Sequence, residues 1–229
     1  MNNLLLLHGA LGSNAQFKEL EEILAGFYNV FSLSFAGHGR QQFPEEEFSI
    51  PLFANQVINY LDINNIATID IFGYSMGGYV AIYLALYFPE RINKIFTFAT
   101  KFDWSEESAK KESSMLNSVV IEEKVPAYAE QLKAMHGESN WKTLLDKTSE
   151  MMLQMAKKNL LDNNSLTTIN HKVMIGIGDK DRMVSLEETI SVFRALQSST
   201  LIVFPNTAHP FDRIDLQRLS AEIKKYFIS

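Results

Sequence analysis

The stretch Ile71-Phe72-Gly73-Tyr74-Ser75-Met76-Gly77-Gly78 restricts the fold of this chain more than any other segment. The apolar run Thr68–Phe72 has the length and the branched and aromatic content of a buried strand. It leads almost directly into Met76–Phe88, a segment apolar on nearly every side that stops at Pro89 and so reads as a buried helix. A strand that reverses into a helix within two residues forces the turning residue, Ser75, into strained backbone geometry. Its side chain then projects from the sheet edge. Positions 73 and 77 are brought so close that a Cβ at either would clash, which accounts for the two glycines. The helix N-terminus beside Ser75 favours developing negative charge. G-x-S-x-G in this strand-to-helix setting marks an exposed nucleophile; the plainer alternative is a serine that merely caps a helix.

The same rhythm runs through most of the chain. Leu4–Leu7, Tyr28–Leu33, Lys94–Phe98, Val173–Ile177 and Leu201–Phe204 read as further buried strands. Helical patterns follow at Ala15–Ala25, from a cap at Ser49 and first turn at Pro51 to Ile63, at Leu186–Leu196 and at Asp212–Phe227. Alternating strands and helices imply right-handed crossovers and a mostly parallel sheet of about six strands, covered on both faces. The fold class is therefore a three-layer α/β/α sandwich. The rhythm breaks from Lys101 to His171, where only helical pattern with many charges and methionines is found. This reads as an insertion over the strand ends, where open α/β sheets bind ligands. Residues 1–100 and 172–229 form the expected core, and 101–171 the insertion.

Length and composition narrow the function. At 229 residues the chain suits one α/β domain with a generous core. The absence of cysteine removes disulfides, thiolate nucleophiles and cysteine-ligated zinc, and fits a reducing compartment. A net charge of −6 argues against nucleic-acid partners, which require a basic footprint. Leu4–Leu7 is preceded by the uncharged Met1-Asn2-Asn3 and is too short for a secretory signal. No run approaches the roughly 18 apolar residues of a membrane helix. The expectation is a soluble, cytoplasmic protein.

A serine nucleophile needs a base and an orienting acid. His209 follows the last strand and precedes the final helix, so it belongs to the sheet edge from which Ser75 emerges. His8, in a glycine-rich loop, suggests a structural, hydrogen-bonded role; His38 reads as a turn residue, and His136 and His171 as solvated. Gly176-Ile177-Gly178-Asp179-Lys180-Asp181 places two candidate acids at the same edge, with Asp103 as a further one. The order Ser, Asp, His along the chain is the one such folds use. A D-x-D metal site lacks any supporting carboxylate or histidine cluster, and nothing in the sequence requires a cofactor.

Four ordered motifs, HGALGS, FAGHGR, GYSMGG, and GDKDRMV with NTAHP, resemble the α/β-hydrolase fold superfamily, specifically its small serine esterase and lipase-like members. The resemblance selects Asp181 over Asp179 as the acid, leaving Asp179 to shape the turn, and makes the insertion a helical cap over the active site. Only three residues precede Leu4, so the sheet should be the shortened, six-stranded form; Ser34 stands where the family commonly has aspartate. The implied chemistry is acyl transfer to water by Ser75, His209 and Asp181, with the backbone N–H groups of Ala10 and Met76 as oxyanion hole. The substrate is expected to be a small or medium acyl ester or thioester. Leu11, Tyr74, Phe102, Trp104 and Trp141 are candidate pocket residues, with Met115 and Met135, although such side chains at helical spacing also serve as core. Two alternatives stand beside this. A C–C bond hydrolase or a menaquinone-pathway-like lyase uses the same triad, although Tyr79 occupies the position where the latter holds an arginine. A non-catalytic small-ligand receptor of the same fold is the other. The sequence leaves open whether the protein is a monomer or a homodimer.

Overall fold

The computed structural model describes residues 1–228. Six strands, β1 (Asn2–Leu7), β2 (Tyr28–Leu33), β3 (Ile69–Tyr74), β4 (Ile92–Phe98), β5 (Lys172–Gly178) and β6 (Ser199–Phe204), form one sheet. Their order is β2-β1-β3-β4-β5-β6, and every pairing is parallel. Leu7 pairs with both Leu33 and Gly73, so the first three strands end level at one edge.

The leucine run of β1 shows how a strand buried on both faces builds two cores. Leu4 and Leu6 pack with Leu20 and Leu24 of α1 (Lys18–Leu24) and with Leu219 and Ile223 of α10 (Leu216–Ile228). Leu5 and Leu7 face the other way, toward Phe53 and Val57 of α2 (Ile50–Ile63) and Val80 of α3 (Met76–Tyr87). All four leucines are fully buried, each contributing about 1.5–3 kcal/mol relative to exposure. The Ser49 hydroxyl caps α2 by accepting from the Leu52 N–H at 3.2 Å, with Pro51 in the first turn.

Two helix starts differ from the periodicity. The first begins as a 3-10 turn over Asn14–Phe17 before α1. The last begins at Leu216, after a short turn at Phe211–Arg213. Asp215 rather than Asp212 supplies the cap, its Oδ1 accepting from the N–H groups of Gln217 and Arg218.

Between β4 and β5 lies a helical insertion: α4 (Glu106–Ser114), α5 (Ser118–Lys124), α6 (Pro126–His136), α7 (Trp141–Lys157) and α8 (Asn163–Leu166). Helix α9 (Leu186–Ala195) then connects β5 to β6. The insertion has a small core of its own, Ile121, Ala129, Leu132, Trp141 and Leu145, against which Leu11 packs from the β1 loop. The same helix α7 turns Leu144, Met151 and Met155 into the larger core beneath. Among the described residues, no helix is long and apolar enough to cross a membrane.

Candidate active site

Ser75 sits between β3 and α3 with φ 51° and ψ −119°, a left-handed backbone that a non-glycine residue adopts only under constraint. Its N–H donates to the Phe98 carbonyl of β4 at 2.8 Å, which ties the turn to the neighbouring strand. The crowding inferred from the two glycines is present at both, although at Gly77 the neighbour a Cβ would clash with is the Leu7 carbonyl at the end of β1 and not position 73. A Cβ on Gly73 would lie 2.6 Å from both the Gly77 carbonyl oxygen and the Gly78 Cα. Backbone strain at Ser75 and the missing side chain at Gly73 thus have one cause, the abrupt reversal from strand to helix.

Three loops at the same sheet edge complete a linked line of groups. The Ser75 Oγ lies 3.4 Å from His209 Nε2. His209 Nδ1–H donates to Asp181 Oδ2 at 2.8 Å. The other Asp181 oxygen, Oδ1, accepts from the N–H groups of Met183 and Val184, each at 2.9 Å. The Asp181 side chain is 1% exposed, so this carboxylate is buried with both oxygens hydrogen-bonded, a rigid support for one orientation of the imidazole. The His209 loop is held from below, because the Tyr74 hydroxyl donates to the His209 carbonyl at 2.7 Å. Burial raises the Tyr74 hydroxyl pKa well above its ordinary value, so it stays a donor. Asp179 accepts instead from the Thr207 N–H at 3.2 Å and braces the turn between the β5 and β6 loops. Asp103 is exposed and caps the Ser105 N–H.

The β1 loop approaches from the other side. A Cβ on Gly9 would come within 3.0 Å of the Ser75 Cβ and of Tyr74 Cε1, so glycine lets this backbone lie against the nucleophile. Leu11 has φ 58°, and the turn is closed by the Gly12 N–H donating to the Gly9 carbonyl at 3.1 Å. His8, fully buried, donates from Nδ1 to the Gly9 carbonyl at 2.7 Å and accepts at Nε2 from the Phe35 N–H at 3.0 Å. Its role is structural.

One other histidine differs from the sequence reading. His136 is fully buried rather than solvated. Its Nε2–H donates to the Leu11 carbonyl and its Nδ1 accepts from the Gly39 N–H, both at 3.0 Å. His38 follows β2 as expected but is also fully buried, stacked on Phe48 and adjacent to the His8 ring at 5.0 Å. The charged stretch around His136 gave no sign of this, because its partners are backbone groups about 100 residues away. His171, which is partly exposed, donates to the Pro89 carbonyl at 2.9 Å.

A cavity of about 390 Å³ opens above Ser75 and His209, between the sheet edge and the insertion. Ala10, Met76, Leu11, Tyr74 and Trp104 line it. Trp141 does not: it is 1% exposed inside the insertion's own core. Phe102 lies outside the lining too, buried and 5.9 Å from the Tyr79 ring. Three methionines of α7, Met151, Met152 and Met155, together with Met115, furnish much of the apolar wall. Two charged residues that sequence reasoning passed over, Lys101 and Glu112, also face it. Lys101 donates to the Met183 carbonyl at 3.3 Å and lies 3.6 Å from Glu188. Glu188 in turn caps α9 and accepts from the N–H groups of Phe102 and Asp103.

A parallel sheet whose third strand turns sharply at a serine, with histidine and aspartate supplied by later loops at the same edge, defines a serine-elbow α/β protein. The chain belongs to the alpha/beta hydrolase fold family, which it matches over residues 2–140, more than half its length. It is similar to a pimeloyl-[acyl-carrier protein] methyl ester esterase of Aeromonas hydrophila, 33% identical over 99 residues, covering 43% of this chain and 37% of that protein. An uncharacterized protein of Mycobacterium bovis is 28% identical over 92 residues, which are 40% of this chain and 27% of that one. The chain thus spans well under two thirds of the length of these relatives. Among solved structures, it shares its fold with a serine hydrolase of Cycloclasticus zankles at a TM-score of 0.84 and 20% identity, covering 99% of this chain and 90% of the other.

Proposed function

We propose that the protein is a serine hydrolase that cleaves a small or medium acyl ester or thioester through an acyl-enzyme. The carrying observation is the line from Asp181 through His209 to Ser75, at 2.8 and 3.4 Å. In this reading Ser75 Oγ attacks the carbonyl carbon while His209 Nε2 takes its proton, and the longer of the two separations tightens when substrate binds. The N–H groups of Met76 and Ala10 hold the resulting oxyanion, each worth roughly 3–4 kcal/mol in the transition state. Collapse expels the alcohol or thiol, protonated by His209, and water then releases the acyl group by the same steps in reverse roles. Residues 101–171 act as the cap over a core of residues 1–100 and 172–229. Leu11, Tyr74 and Trp104 contact the substrate, whereas Phe102 and Trp141 support the walls. The predominantly apolar lining supports a neutral acyl chain, and the absence of cysteine supports a cytoplasmic setting.

The test is covalent labelling of the purified protein with a fluorophosphonate probe, alongside turnover of p-nitrophenyl esters from acetate to octanoate. Ser75→Ala is the control for background ester cleavage. A Ser75 adduct with turnover that peaks at a short or medium chain is the expected result. No adduct and no turnover above the control would refute the reading and favour a ligand receptor of the same fold.

A further inference from the structure

The cavity wall contains a charged group that neither the triad nor the fold of the insertion uses. Glu112, on α4, is 2% exposed and lines the cavity over Ser75. Neither of its carboxyl oxygens has a hydrogen-bond partner among the described residues. A buried carboxyl left without donors is costly, and native proteins retain such a group chiefly where something else completes it. Two polar groups nearby are already engaged. Lys101 is held by Glu188 and the Met183 carbonyl, and His209 by Asp181. Glu112 is thus an unfilled acceptor in an otherwise mostly apolar chamber.

Resting on the serine-hydrolase reading, we infer that Glu112 is a specificity-determining residue that accepts a hydrogen bond from a hydroxyl on the substrate, away from the scissile carbonyl. The surrounding charges select a neutral group. A substrate carboxylate would meet Glu112, and an ammonium would meet Lys101, whose field reaches Glu112. Burial raises the Glu112 carboxyl above its ordinary pKa, while Lys101, Lys111 and His209 pull it back. A hydroxyl suits both outcomes, since it donates to a carboxylate and accepts from a carboxylic acid. The preferred substrate therefore has an apolar body filling the methionine-lined wall and one hydroxyl at the Glu112 end.

Two matched ester pairs test this in the wild type, Glu112→Gln and Glu112→Leu. The first pair is p-nitrophenyl hexanoate and p-nitrophenyl 6-hydroxyhexanoate, and the second is propyl and 3-hydroxypropyl hexanoate, read by proton release. In the wild type, kcat/KM should favour the hydroxylated member of one pair about tenfold or more, mainly through KM, the scale of one hydrogen bond to a charged group. Glu112→Leu should abolish or invert that ratio, and Glu112→Gln, which keeps an acceptor, should retain part of it. Melting temperature should rise in Glu112→Leu, because an unpaired buried carboxyl has gone. A fall of several degrees would assign Glu112 to the fold of the insertion and overturn the proposal. So would ratios that are the same in wild type and Glu112→Leu for both pairs. A binding arm separates this from the catalytic reading. On a Ser75→Ala background, hexane-1,6-diol should bind more tightly than hexan-1-ol by calorimetry, and adding Glu112→Leu should erase the difference. If the protein turns over no ester but this difference appears, the hydrolase reading fails and the Glu112 site stands. If esters turn over and neither assay responds to Glu112, the reverse holds.

Discussion

Acid should unfold this protein through its buried histidines well before its carboxylates are fully protonated. His8 is the clearest case. Burial is the main cause that takes its pKa from 6.5 down to about 4; its hydrogen bond to the Gly9 carbonyl resists this, and His136 adds a small push in the same direction. In the unfolded chain His8 takes up a proton near pH 6.5, whereas in the folded protein it stays neutral until about pH 4. Between those values the unfolded state holds more protons, so stability falls as pH falls. Above the window His8 contributes no pH dependence, and below it the loss is complete. At about 1.4 kcal/mol per pH unit, the window amounts to roughly 3 kcal/mol from this one side chain. That is a large part of the 5–15 kcal/mol typical of a domain. His38 and His136 are lowered by burial too and act in the same direction. Asp70 and Glu112, raised by burial, act in the opposite one. The comparison that isolates His8 is His8→Gln, whose amide can accept from the Phe35 N–H but does not titrate. Urea denaturation from about pH 7.5 to 4.5 should show the variant less stable at neutral pH, with a shallower decline below about pH 6.5. The two slopes should differ by about 1 kcal/mol per pH unit, so that the curves converge in acid. Parallel curves for two folded proteins would refute the assignment of the acid loss to His8.

Replacing Ser75 with glycine should abolish probe labelling and ester turnover while raising the unfolding free energy by about 1 kcal/mol, because φ 51° costs glycine little; a less stable variant in urea denaturation would count against strain at the elbow. In the proposed mechanism Ala10→Pro removes one oxyanion donor, so kcat should drop about 10²–10³-fold with the fold intact, and full activity in a folded protein would remove Ala10 from the proposed oxyanion hole. Trp141→Ala should cost about 3–5 kcal/mol of stability as a core truncation. Trp104→Ala, at the cavity wall, should instead change KM across an acyl-length series with a smaller loss of stability; the opposite pattern in the two variants would exchange their roles.

The sheet was readable in the sequence because parallel strands buried on both faces leave short, nearly continuous apolar runs. Leu4–Leu7 and Thr68–Phe72 are such runs, whereas Tyr28–Leu33, at the sheet edge, is only partly buried; the glycine pattern around Ser75 registers a steric constraint that any sequence with this turn must obey. The line of Asp181, His209 and Ser75 was legible for a related reason: each residue lies in a loop that follows a strand, so the topology brings them to one edge, while the choice of Asp181 over Asp179 came from the family resemblance. The insertion was different. Its helices were visible as periodicity, but which side chains they turn inward depends on how α4 and α7 cross, and no local pattern encodes that. Trp141 and Trp104 have the same composition signal and opposite fates. Glu112 sits in the run Glu106-Glu107-Ser108-Ala109-Lys110-Lys111-Glu112, where charge looks like a solvated surface. Only the packing against α7 reveals a buried face one turn apart, at Ala109 and Glu112.

The histidines explain why the β1 loop can hold so strained a shape. Leu11 lies at φ 58°, a conformation that costs a branched residue about 1 kcal/mol or more. Its carbonyl is the acceptor for His136 from the insertion, while its side chain packs against the insertion's core. His8 fixes the other end of the turn by bonding the Gly9 carbonyl and the Phe35 N–H. The Gly9–Gly12 turn is therefore clamped from the core on one side and from the insertion on the other, with Ala10 between the clamps. The insertion thus supplies more than a cavity wall: through one buried, neutral imidazole it helps set the backbone that faces Ser75. This ties the enclosure of the cavity to the geometry of the β1 loop, and it makes the neutrality of His136, and not only its presence, a condition for that geometry.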